Sequence, residues 1–115
     1  MEKNLRRNIS RFYSLLTDQL RGAESRSVTE DIFHPRYNRG EADGYRFALN
    51  TLRQEPVDSI VGILKAQKDH AEIYMVYAQG ESVADAEFYD GMYTALDHAW
   101  RNASQFFPRP VLQPR

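Results

Sequence analysis

Two pairs of carboxylates stand out in this 115-residue chain: Asp69 with Glu72, and Glu87 with Asp90. Acids three apart share a helix face, and two such faces set opposite each other would hold Mg²⁺ against a polyphosphate. The histidines, His34, His70 and His98, offer less, because no two stand four apart and no H-E-x-x-H occurs. "DHA" appears at 69–71 and again at 97–99, but neighbouring side chains diverge on a helix, so neither copy makes an acid–imidazole pair. Glycine-rich phosphate loops, dinucleotide fingerprints and the G-x-S-x-G elbow are missing. The chain has no cysteine, which excludes a disulfide scaffold, thiolate zinc sites and a cysteine nucleophile. No motif asks for a cofactor.

The carboxylate spacing resembles the E-x-x-E…E-x-x-D arrangement of all-α nucleoside triphosphate pyrophosphatases of the MazG type. The likeness covers residues 69–90, has Asp69 in place of the first Glu, and brings no basic partner for the phosphates nearby. It implies Mg²⁺-dependent hydrolysis with Asp69, Glu72, Glu87 and Asp90 as metal ligands. A different chemistry is suggested by Lys3, Arg7 and Arg11, whose i, i+4, i+8 spacing makes one stripe able to track nucleic-acid phosphates. Against this, residues 69–97 hold seven acids and no Lys or Arg, and would repel the same backbone.

Positioning any of these groups falls to helices. Leu5, Ile9, Phe12, Leu16 and Leu20 follow the helical period and predict a first helix over 3–21, with Gly22 as its stop. Ser27 and Glu30 form a capping-box pattern for a short turn to about Phe33, ended by Pro35. A second helix is expected over 39–54. A third opens at Pro56 and carries Val57, Ile60, Val61, Leu64, Ala71, Met75 and Ala78 on one face. Within it "EIYMVYA", 72–78, has a composition that also suits a strand; helix is preferred because a lone strand has no sheet to join. Ser82 caps a fourth helix over 83–105. The expected fold is all-α, a compact bundle of about four helices in one domain, 1–105. A proline-rich, extended tail over 106–115 completes it.

"DGYRFALNTL" at 43–52 is echoed by "DGMYTALDHA" at 90–99. On helices the echo aligns small residues, Gly44 and Ala48 on one and Gly91 and Ala95 on the other. Glycine inside a helix costs ~1 kcal/mol relative to alanine, so close packing of helices two and four is expected, crossing at Gly44 and Gly91. The fourth helix also carries an apolar arc wider than a single core face needs, which fits a central helix or a shared one. Its aromatic side, Tyr89, Tyr93, Trp100, Phe106 and Phe107, is the expected partner-binding surface.

A hydrophobic fraction of 42% and a net charge of −1 fit a folded, soluble protein. The N-terminus lacks the apolar core of a signal peptide, and no stretch reaches the ~20 apolar residues of a membrane span, so a cytoplasmic protein without membrane contact is expected. Without a catalytic constellation, the reading favours an interaction protein over an enzyme. Such a protein would be an adaptor, regulator or inhibitor of the small phage-accessory kind, binding another protein and forming a homo-oligomer.

Overall fold

In a computed structural model, residues 2–29 and 35–108 are described, and four helices carry nearly all of them: α1 (Glu2–Thr29), α2 (Pro35–Gln54), α3 (Val57–Gln79) and α4 (Val83–Phe106). Among the described residues there is no strand, so the all-α expectation holds and 72–78 is helix.

Helix existence follows the apolar period, but helix ends do not all follow the punctuation. α1 runs through Gly22 to Thr29, keeping Phe12, Leu16 and Ala23 buried on one row. No glycine here adopts positive φ, the left-handed conformation with which glycine usually closes a helix. Ser27 therefore lies inside α1, and the rest of that expected turn, 30–33, is outside the described residues. Pro35 opens α2, where its missing N–H leaves no bond unmade. Pro56 (φ −59°) sits just ahead of α3. Ser82 caps α4 as expected, its Oγ accepting from the Asp85 N–H at 3.2 Å.

The helices alternate in direction. Arg26 meets Glu41, Glu24 meets Arg46 and Tyr13 meets Arg53, so α1 and α2 are antiparallel. Lys68 meets Asp97 and Tyr74 meets Tyr89, so α3 and α4 are too. In a square bundle α2 and α4 would be the diagonal pair and stay apart. Here they make the most extensive contact in the molecule, while α1 and α3 lie apart on its two sides. The square has collapsed along one diagonal, giving a flattened body of 48 × 33 × 19 Å.

Small residues permit the collapse. A Cβ built on Gly40 would strike the carbonyl of Phe88, with Met92 N at 3.0 Å. One built on Gly91 would strike the carbonyl of Tyr37 and come within 2.9 Å of Glu41 N. At Gly44 it would meet Ala95 Cβ at 2.8 Å and Met92 O at 2.9 Å. The obstacles at Gly40 and Gly91 are backbone and cannot turn aside. Gly44 and Gly91 do lie in the α2–α4 contact, but not opposite each other. Gly91 sits level with Gly40, and Gly44 with Ala95, so the two copies of the echo are displaced by about one helical turn.

Burial of Gly91, Ala95, Leu96, Ala99 and Ala103 makes α4 the central helix. Its wide apolar arc is divided between α2 on one side and α3 on the other. The end of α4 belongs to the core as well. Phe106 is its last residue, and both Phe106 and the 9%-exposed Phe107 pack on the Phe12 ring, with centroids 5.8 and 5.7 Å away. Asn8 Nδ2 donates to the Phe106 carbonyl at 3.0 Å, tying α1 to this end. The folded body thus reaches past 105, and residues 109–115 of the expected tail are outside the described residues.

Candidate protein-binding surface

The four carboxylates of the pyrophosphatase-like pattern do not converge. Asp69, Glu72 and Asp90 are exposed, and Asp69 is held by Lys65 at 2.9 Å. The face that α3 turns to α4 consists of Lys68, Ala71 and Ala78, which leaves Asp69 on the outside. Among the described residues no three His, Asp or Glu side chains come together as a metal site. The metal-ligand expectation for these four residues thus finds no assembled cluster among the described residues: Asp69 lies on a side of α3 that does not meet α4, while Glu87 and Asp90 line a shallow groove with Met75 and Gln79.

Between α3 and α4 lies a cation instead. Lys68 is 8% exposed, with Nζ 4.3 Å from the Trp100 ring centre and 5.6 Å from that of Tyr93. Its Nζ stands 3.1 Å from Asp97 Oδ1, near enough to pair though not aligned as a hydrogen bond, while Arg101 Nε reaches Asp97 Oδ2 at 3.0 Å. Burial raises the Asp97 pKa, but the two cations outweigh it and hold the carboxyl below its usual range. Lys65 approaches the Trp100 ring as well, at 5.4 Å. Tyr93 and Trp100, expected to meet a partner, thus lie half-buried and cover an ion pair inside the molecule. Phe106 and Phe107 are engaged with Phe12. Tyr89, the remaining residue of the expected aromatic surface, is half-buried as well and packs on Tyr74 with ring centres 5.3 Å apart.

Lys3, Arg7 and Arg11 are all exposed on the side of α1 opposite its buried row, so the basic stripe exists as drawn from the sequence. Beside it, Arg6, Ile9, Ser10, Tyr13, Leu52 and Arg53 line a groove of about 460 Å³ between α1 and α2. Arg53 lies over the Tyr13 ring at 5.5 Å and donates to its hydroxyl at 2.9 Å, which lowers the Tyr13 pKa.

The outer side of α3 was missed in the sequence. Ile73, Tyr74, Val76 and Tyr77 are 51%, 54%, 60% and 73% exposed, and Val83, just across the turn, is 74% exposed. At 100° per residue, Val76, Ile73, Tyr77 and Tyr74 fill an arc of about 160° facing away from Ala71 and Ala78. The second half of α3 is apolar on both sides, and only one side is covered among the described residues. Large apolar groups so exposed mark interaction sites when they adjoin one another. The signal was present in "EIYMVYA", whose β-branched and aromatic content resembled a strand. Nothing about it required a strand. It is a helix with two apolar faces.

No helix among the described residues is long and apolar enough to cross a membrane. No family model, curated protein or solved structure matches the chain.

Proposed function

We propose that this protein is an interaction module, acting as an adaptor, regulator or inhibitor by binding a protein through the outer face of α3. The observation that carries the reading is the adjoining exposure of Ile73, Tyr74, Val76 and Tyr77 on a helix whose other face is already packed, with Val83 exposed at the start of α4. Tyrosine supplies contact area at low entropic cost, and aromatic anchors ringed by polar groups are where binding energy concentrates. Catalysis has no comparable support, since among the described residues no three His, Asp or Glu side chains gather at one site.

A paired substitution separates binding from folding. Ile73→Ser with Tyr77→Ser removes exposed apolar surface only, so helicity and melting temperature should stay within a few degrees of the parent. Association with the protein's partner should fall by roughly 100-fold, as for loss of two anchors worth ~1–2 kcal/mol each. Unchanged association in a folded variant would remove this surface from the function. A variant that unfolds would show that the face is packed rather than presented.

A further inference from the structure

The segment that carries the outer α3 face is acidic. Glu72, Glu81, Asp85 and Asp90 are exposed on α3, in the turn after it and on α4, Asp69 is offset by Lys65 at 2.9 Å, and no Lys or Arg stands between Lys68 and Arg101. A surface that meets it should be apolar at its centre and basic at its edge. This chain owns such a surface. The α1–α2 groove offers Ile9, Tyr13 and Leu52 flanked by Arg6 and Arg53, with Lys3 and Arg7 close by on α1. It is formed by the N-terminal half of α1 and the C-terminal end of α2. The apolar face belongs to the C-terminal half of α3 and the start of α4, at the opposite end of the 48 Å body. One molecule cannot close the two surfaces on each other.

We propose that the outer α3 face of one copy docks into the α1–α2 groove of a second copy, head to tail. This rests on the reading of the α3 face as a protein-binding surface and names its partner. Two α3 faces cannot pair with each other well, because Glu72, Glu81 and Asp85 of both copies would meet across the contact. Face-to-groove docking brings those acids against Arg6, Arg7 and Arg53. Net charge of −1 leaves no overall repulsion to keep copies apart. The contact is heterologous, so it leaves one free face and one free groove at the ends and adds further copies until a ring closes.

Blocking each surface separately tests the pairing. Val76→Ser with Tyr77→Ser removes the apolar centre of the face and leaves its acids, and Arg6→Glu with Arg53→Glu puts acids on the groove, so the two blocked surfaces repel each other. Sedimentation velocity should show the parent growing in mass with concentration, with the association constant falling roughly tenfold or more between ~0.05 and ~0.5 M salt. Each folded variant alone should be monomeric. An equimolar mixture should form a 1:1 complex and stop there, since it holds one working face and one working groove. Three results would each overturn the proposal: a monomeric parent at all concentrations and salts, a face-blocked variant that still self-associates, or a mixture that stays monomeric. A monomeric parent that captures a different protein, with capture lost in the face-blocked variant, overturns the head-to-tail pairing and leaves the parent reading standing. Capture of duplex or single-stranded nucleic acid lost in the groove-blocked variant, with no self-association, assigns the basic side to phosphates instead.

Discussion

Lys68 was not singled out in the sequence, yet it fixes α3 on α4. Its pattern position, on the apolar face with Leu64, Ala71 and Met75, was the available signal: a lysine in a core row must find an anion and somewhere to lay its stem. Asp97 and the Trp100 ring supply both. Replacing Lys68 by Met should cost about 2 kcal/mol, because Asp97 Oδ1 would be left buried with only Arg101 nearby; chemical denaturation checks this. The double change Lys68→Met with Asp97→Leu should recover most of that loss, since no charge is then stranded. The depressed Asp97 pKa means its contribution is complete above pH ~4 and disappears as pH falls through the lower folded value, so acid unfolding should begin there. Tyr45 behaves in the opposite sense. Burial, with Glu41 close by, raises its pKa to about 12, and its hydroxyl lies 3.0 Å from His98 Nδ1. Unfolded tyrosine ionises near pH 10 while the folded one resists, so the parent should lose about 2 kcal/mol between pH ~10 and ~12. Tyr45→Phe should cost ~1 kcal/mol at pH 7 for the lost hydrogen bond, then become the more stable of the two above pH ~11.

At the scale of elements, the glycines of the echo carry information that helix propensity alone does not. Gly40→Ala and Gly91→Ala should each destabilise by ~2 kcal/mol or more, because the added methyl meets a backbone carbonyl across the α2–α4 contact. Gly62, also inside a helix, has nothing within 4 Å of its would-be Cβ, so Gly62→Ala should stabilise by ~0.5–1 kcal/mol. Thermal melts of these three variants test whether the diagonal closure is real; equal effects at all three sites would deny it. That helices two and four touch through small residues was legible, because glycine in a helical period needs a reason. Their one-turn displacement was not, since the echo aligns letters while packing aligns surfaces. The extent of α1 was also illegible. Gly22 signals a stop only if its backbone turns left-handed, and tertiary contacts around Ala23 keep it helical.

For the whole molecule, the collapsed diagonal explains why a surface is left over. A square bundle surrounds one core, but here α1 and α3 each pack mainly on a single neighbour, α2 and α4 respectively, and turn the rest of their circumference outward. On α1 that outward side is polar, carrying Lys3, Arg7, Arg11 and Ser14, as a solvated face should. On α3 it is Ile73, Val76 and Tyr77. The wide arc of α4 could be read from the sequence, but its meaning depended on topology: with neighbours on both sides, the arc is used up internally. The apolar excess sits on α3 instead, where aromatic and β-branched letters looked like a strand because both helix faces carry them. The central claim is that this excess is covered by protein when the molecule works. A photo-activated cross-linking side chain placed at Tyr77, in cells that make the protein, should yield a discrete protein adduct, while the same group at Arg39, exposed on α2 and outside both the face and the groove, should yield none. No adduct at Tyr77 under conditions that label a buried contact, or equal labelling at both positions, would contradict it.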